Sequence, residues 1–247
     1  MQLLLCLLFI GTCLHAQVID FYTAVSSAAI PKLEKQAFTD IVQIYNKKYG
    51  THLTINHQQI KTFRDVFSVV KKASTEYTSV MCSVTITKER EKHVTFSIPY
   101  LPVTETIFSY NDLSEGTDWT TKPIAFLVGT TAEDAMKSLL KTYPKIKPKA
   151  YTSFQTLIED VKQGYIKFLI SDNVAILSYP KLVPLKDLGS KKGKGYGIVY
   201  PLGSSLKEKL DPIIKYYTKS AKFYNLLQQN YGNEIADYFT ANVRMLN

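Results

Sequence analysis

Cysteine is scarce in this chain. Of three in 247 residues, Cys6 and Cys13 lie in an apolar N-terminal stretch, and Cys82 alone remains beyond it. If that stretch is removed, no internal disulfide can form. A single cysteine inside an apolar run reads as a small buried hydrophobe. His52, His57 and His93 stand in polar surroundings that read as surface, and no Cys/His pair has metal-ligand spacing, so neither a metal nor another cofactor is expected. Beyond the N-terminus no apolar run is long enough for a membrane helix. There is no internal repeat and no low-complexity segment. Basic clustering is also missing: the formal charge of +9 comes from lysines spread along the chain, with only Lys191 to Lys194 resembling a block. Spread charge without stacking aromatics argues against a nucleic-acid partner.

What is present begins with a leader. Leu3 to Ile10 is apolar, and Leu14-His15-Ala16-Gln17 follows as a small-residue cleavage site, so a secretory signal over 1–16, cut after Ala16, is expected. Cys13 follows a threonine and makes a poor lipid-attachment site. About 230 residues then remain, compatible with two lobes of ordinary size.

Strand-like and helical patterns alternate along those residues, which predicts α/β lobes with mostly parallel sheets flanked by helices. Pro31 starts a helix that Gly50 ends, with Phe38, Ile41, Val42 and Tyr45 at helical spacing as its buried face. Thr62 and Asp65 open a second helix near Phe63, and Tyr77 to Val84 reads as a strand. Thr104 to Tyr110 leaves the first lobe through a turn-rich connector. Pro123 to Val128, a helix to Leu140, Ser153 to Gln163, a strand to Ser171 and Lys181 to Leu185 follow. Ser204 or Ser205 caps a returning helix that Pro212 either starts or kinks.

Three short segments carry candidate chemistry. In SVTITKEREKHVTFSIPY, residues 83–100, two hydroxyls (Ser83, Thr85) and the Arg90 guanidinium stand where a strand gives way to a turn that Thr87 can cap. A planar five-donor cation beside exposed backbone N–H groups suits a carboxylate. On this segment alone an ordinary surface arginine explains the pattern as well. Gly129-Thr130-Thr131 joins an apolar run to a helix, with Thr130 and Glu133 at capping-box spacing. Asp172 closes a strand, where ligands bind in open α/β sheets. Taken singly, Thr130 and Asp172 read first as helix caps. Phe63 reads as a cleft-lining aromatic or as a packed helix-start residue.

Together the segments resemble the polar amino-acid family of bacterial periplasmic solute-binding proteins, which have the two-lobed type II periplasmic-binding fold. The pattern of a hydroxyl pair, T-x-E-R and F-S-x-P-Y is met by Ser83, Thr85, Thr87, Glu89, Arg90, Phe96, Ser97, Pro99 and Tyr100. The second-lobe G-T-T turn is met by Gly129, Thr130 and Thr131, and a glycine eight residues before an ammonium-binding aspartate by Gly164 and Asp172. Gly197-Ile198-Val199, Gly203-Ser204-Ser205-Leu206 and NLLQQNYGNE resemble the return strand and C-terminal helix. The chain departs at VIDFYTAVSSAAIPKLEKQAFTD, which is shorter than the family's ligand loop and carries Ala37-Phe38-Thr39-Asp40 at its end.

The resemblance implies a first lobe at 17–104, a second at 105–196, a return segment at 197–247 and two hinge crossings. It implies a periplasmic or secreted monomer that closes on a free amino acid or close analogue for an ABC-type transporter and performs no chemistry. Arg90, Thr85, Thr131, Thr130 and Ser83 are the expected ligand contacts, with Asp172 on the ammonium group and Phe63 on the side chain. A same-fold dehydratase and a sensing module for a separate signalling partner are the alternatives. The stretch Tyr22 to Pro31 holds no acidic residue, which weighs against a cationic ligand.

Overall fold

The computed structural model describes residues 17–24, 29–63, 65–110, 118–189 and 193–246. The expected signal, the connector tip at 111–117 and part of the lysine block lie outside the described residues. β1 (Val18–Ala24) alternates in burial, Ile19 and Phe21 facing one core and Tyr22 and Ala24 another. That period of two is what a strand buried on both faces requires. It lies between β2 (Thr54–Ile60) and β3 (Thr78–Val80), parallel to both. Beyond β3 come β12 (Val199–Tyr200) and β5 (Thr95–Phe96), giving the order β2-β1-β3-β12-β5. α1 (Ala29–Tyr49) packs on the Phe21 face, where the Phe38 ring stacks on Phe21 with centroids 4.0 Å apart. α5 (Leu206–Tyr217), α6 (Ala221–Tyr231) and α7 (Asn233–Leu246) contribute to the same core, and α2 (Asp65–Lys71) covers the opposite face.

The second sheet has the order β10-β6-β9-β7-β8. It comprises β6 (Glu105–Tyr110), β7 (Pro123–Leu127), β8 (Lys147–Tyr151), β9 (Phe168–Asp172) and β10 (Leu182–Gly189). Ile107, Phe126 and Ile170 pack beneath α3 (Thr131–Thr142), and Phe108, Ala125 and Leu169 beneath α4 (Phe154–Lys162). Each lobe is therefore a two-faced sheet between helices.

Both sheets are mixed rather than mostly parallel. β12 runs antiparallel to β3 and β5, and β6 antiparallel to β9 and β10. These are the strands by which the chain returns to one lobe and enters the other, so they arrive against the local direction. Between the sheets, β4 (Thr85–Thr87) pairs with β11 (Gly193–Tyr196) in an antiparallel ribbon, and Tyr196 also bridges Leu101.

Other expectations need correction. The strand expected over Tyr77 to Val84 ends at Val80, because Ser83 turns into the left-handed region at φ 51°. Cys82 is buried as expected, though in this bend and not in a strand. α5 runs through Pro212 and starts at Leu206, so the proline neither begins nor ends it. His57 is no free surface residue: it lies on β2, half-buried, with Nε2 2.9 Å from the Thr23 hydroxyl.

Candidate functional site

Arg90 opens a short 3-10 turn, Arg90–Lys92, directly after β4. Its backbone N–H donates to the Thr87 hydroxyl at 3.3 Å, the local cap that the sequence suggested. The side chain is half-buried and runs inward. One guanidinium nitrogen donates to the Thr85 carbonyl at 2.8 Å and the other to the Gly129 carbonyl at 3.3 Å. The second bond crosses from the first sheet's side of the molecule to the turn between β7 and α3. The guanidinium carbon also lies 5.4 Å from the Phe63 ring centroid and 5.5 Å from that of Phe67. A cation over two aromatic faces is held electrostatically and sterically. Burial lowers its pKa, opposed by Asp172, Asp134, Tyr196 and Glu105.

Asp172 ends β9 and stands opposite Glu105 of β6 in register. Although it precedes the turn Asn173–Leu177, it makes no side-chain cap there. Its Oδ2 instead accepts a short hydrogen bond from the Tyr196 hydroxyl of the β11 crossing. Desolvation, with repulsion from Glu105, pushes the Asp172 carboxyl up to about 7, and the Tyr196 bond and Arg90 pull the other way. Desolvation outweighs the partners.

The second-lobe turn has lost part of its expected capping box. Thr130 flanks α3, but its hydroxyl donates to the Leu127 carbonyl at 2.7 Å and caps nothing. Glu133 reaches back to the Gly129 N–H at 2.9 Å, leaving that glycine's carbonyl for Arg90. Thr131, buried, lines a cavity of about 270 Å³ with Glu105 and Asp134. Phe63, Thr85, Arg90, Asp172 and the Gly129 turn are thus gathered at one place between the sheets.

Ser83 is placed differently. Its N–H and hydroxyl both donate to Oε1 of Glu34, at 2.7 and 3.1 Å, and the Tyr100 hydroxyl donates to the same oxygen. Glu34 is 1% exposed, and burial raises its carboxyl to about 7 despite these donors. Tyr100 and Tyr196 have ring centroids 6.3 Å apart, so two neighbouring tyrosines stand between Glu34 and Asp172, each bonded to one of them. Glu34, Glu105 and Tyr196 were not among the expected site residues. One signal for Glu34 exists: Glu34, Phe38 and Ile41 share a helix face, which sets a carboxylate on the apolar stripe of α1.

No family model matches the chain. A curated relative, the ABC transporter arginine-binding protein 1 of Escherichia coli (strain K12), is 29% identical over 145 residues, 55% of this chain and 58% of that protein. The chain therefore matches somewhat more than half the length of that relative. Among solved structures, an ancestral arginine-binding protein bound to arginine superposes with a TM-score of 0.67 at 21% identity, over 87% of this chain and 99% of that one. The chain is similar in sequence to that arginine-binding protein over the matched part and shares the two-lobed fold of the solved structure. An ancestral amino acid-binding protein described as a precursor of cyclohexadienyl dehydratase also superposes on this chain, with a TM-score of 0.65 at 19% identity, covering 87% of this chain and 95% of that one.

Proposed function

We propose that this protein captures a free amino acid between two closing lobes and delivers it to an ABC-type transporter outside the cytoplasm, without chemistry. The observation that carries the reading is the convergence of Arg90 and Asp172. One follows β4 and the other ends β9, and they fall within electrostatic reach of each other. A zwitterion fits that pair. Its carboxylate lies against Arg90, aided by Thr85, Thr131 and the turn at Thr130, its ammonium against Asp172, and its side chain toward Phe63. Ser83 acts through its contact with Glu34. In this reading the lobes are 17–104 with 197–247, and 105–196, joined by two crossings. The protein is a monomer, and 1–16 is its export signal. Relatives named for arginine binding support an amino-acid ligand.

Closure needs a ligand that prefers the closed form, and one molecule touching both lobes supplies that difference. Calorimetric titration of the exported protein with single amino acids tests the reading. Saturable binding together with a smaller radius of gyration in solution scattering is the expected result. Absence of binding across all amino acids overturns it.

The dehydratase alternative draws on one observation. A carboxyl raised to about 7, as Asp172 and Glu34 are, suits general acid catalysis. Incubation with a cyclohexadiene carboxylic acid separates the readings: growth of aromatic absorbance supports the enzyme, and its absence supports capture alone.

A further inference from the structure

The charge of the second lobe is divided between its two ends. In the sheet order β10-β6-β9-β7-β8, four strands start at one end and β6 finishes there, since Pro123 pairs with Lys147, Ile124 and Ser109 with Phe168, and Tyr110 with Leu182. Lys122, Lys167 and Lys181 immediately precede β7, β9 and β10, and Lys147 opens β8. Neighbouring strands lie about 4.8 Å apart, so these residues form a row roughly 20 Å long across the end of the sheet. The segments that feed the strands add to it. Lys141 and Lys162 lie in the last turns of α3 and α4, where helix ends favour cations, and Lys145 lies in the loop before β8. All but Lys167 are exposed. Scattered along the sequence, these lysines converge only in the fold.

Acids are few at this end. Among the described residues they are Asp118, Glu159 and Asp160, and each already accepts from a neutral neighbour, Thr120, Gln155 and Tyr151 respectively. Asp112 and Glu115 of the connector, outside the described residues, would still leave the lysines in excess. The other end of the sheet and the start of α3 are the reverse. There Glu105, Asp172, Asp187, Glu133 and Asp134 outnumber Lys186 and Lys137, with Arg90 reaching in from the turn after β4.

Tyr165 is a second, independent observation. It stands between Lys162 and Lys167 in the turn from α4 to β9, and at 72% it is the most exposed large hydrophobic among the described residues. An amphipathic ring flanked by lysines matches the headgroup layer of a bilayer, where tyrosines gather and lysines meet lipid phosphates. A small anion would need a concave site, and the cavities of about 270 and 460 Å³ are lined by Glu105 and Thr104 toward the other end. Pairing of fixed geometry with a folded acidic partner or a nucleic acid favours arginine, and the chain has none between Arg90 and Arg244. Lysine is a hydrated point charge, which suits a diffuse negative plane. We propose that this end of the second lobe is a docking surface for a bilayer rich in acidic phospholipids, with Tyr165 entering the headgroup layer. The proposal stands on the placement of these side chains and not on the amino-acid reading above.

Co-sedimentation of the exported protein with vesicles tests it. Phosphatidylglycerol and phosphatidylcholine in equal parts should carry the protein down, and phosphatidylcholine alone should not. Each lysine near an anionic surface contributes roughly fivefold, so Lys122→Gln, Lys147→Gln, Lys162→Gln and Lys181→Gln combined should weaken partition at least about tenfold. The same loss of charge at Lys47, Lys48, Lys71 and Lys72, exposed on and beside α1 and α2, should cost no more than about threefold, because charges turned away from the bilayer are screened. Tyr165→Ser should weaken partition at low and high salt alike, whereas the lysine contribution fades as salt rises. No binding to the acidic vesicles, equal binding to both kinds, or equal loss in the two quadruple variants overturns the proposal. So does capture by polyglutamate or duplex DNA that depends on the four lysines while vesicles are ignored, which would assign the face to a soluble polyanion. Amino-acid titration of the same samples is read separately, so failure of docking and failure of ligand capture remain distinct results.

Discussion

Asp172 and Glu34 are two desolvated carboxyls, each accepting a hydrogen bond from one of two neighbouring tyrosines, and they are held in different ways. Asp172 sits at a strand end beside a like charge, Glu105, with Arg90 acting on it from the turn that follows β4. Glu34 sits on a helix, holds three donors on one oxygen and acts on no described cation. Both are pushed up to about 7. The same displacement thus has two origins: desolvation with repulsion at one end, and desolvation that neutral donors fail to offset at the other. A raised carboxyl therefore does not by itself reveal what its partner is, and the two should respond differently when partners are removed.

The largest expected effect tests whether Arg90 is the counter-charge of the Asp172 end. Arg90→Ala should weaken any carboxylate ligand by about 2 to 5 kcal/mol, roughly thirty-fold to several-thousand-fold. Far-UV circular dichroism of the variant should match that of the wild type. Affinity within about threefold of wild type would show that the guanidinium serves only its two carbonyl bonds and its aromatic contacts.

Next is Asp172→Asn, which should weaken an amino acid strongly and spare the corresponding 2-oxo acid, since only the former brings an ammonium group. Equal loss for both ligands would show that Asp172 acts through Tyr196 and not on the ligand. Calorimetry with the matched pair reads this directly.

Acidity gives the third test. With Asp172 raised to about 7, its ionised form is depleted below that pH, so amino-acid affinity should fall by up to about tenfold per unit below pH 7. Binding near neutrality should release protons, seen as a buffer-dependent heat. The unliganded fold should respond in the opposite sense. The native state holds protons on Asp172 and Glu34 that the unfolded chain has lost, so the part of stability due to these two carboxyls should be greatest below about pH 4, fall as pH rises toward 7 and then level off, whereas carboxyls held below their usual range, such as Glu133, withdraw theirs only in stronger acid. Urea titrations at pH 5 and 8 would show this, and a higher midpoint at pH 8 would contradict it.

The smallest effect discriminates between the two ends. Tyr196→Phe removes the bond that lowers Asp172, so it should move the midpoint of the affinity-pH profile upward, whereas Tyr100→Phe should leave that midpoint in place and act on Glu34. Each lost bond should lower stability by about 1 to 3 kcal/mol where it leaves a buried acceptor unpaired. Identical profiles for the two variants would mean that the tyrosines transmit nothing separately.

The sequence disclosed these groups unevenly, for physical reasons. Arg90, Thr85 and the Gly129 turn were legible because hydroxyls, glycines and a guanidinium occur at fixed short spacing beside apolar strands. The assembly of those residues, and of Asp172, into one ligand site is still a proposal. The two-faced strands and the buried stripe of α1 were legible as well, since Phe38, Ile41 and Val42 repeat at helical period and are all at most 2% exposed. Sheet direction was not, because it depends on where the chain re-enters each lobe and not on any local pattern. The Ser83 bend escaped for a related reason: its partner Glu34 is 49 residues away, and the run into it is as apolar as a strand. Glu34 itself was hidden because its partners, Ser83 and Tyr100, are 49 and 66 residues away along the chain.

The β4–β11 ribbon makes the crossing between the lobes a mechanical linkage as well as a tether. β11 is paired with the strand that leads into Arg90, and its Tyr196 holds Asp172, so one short segment grips both charged anchors. A Cβ on Gly195 would lie 2.6 Å from the Leu101 carbonyl, and its φ of 111° disfavours any other residue, so the segment has little freedom to slide against its neighbours. If the lobes rotate about this crossing, as the proposed closure requires, neither anchor can be displaced without pulling on the segment that holds the other, so a lesion in the ribbon should be felt at both.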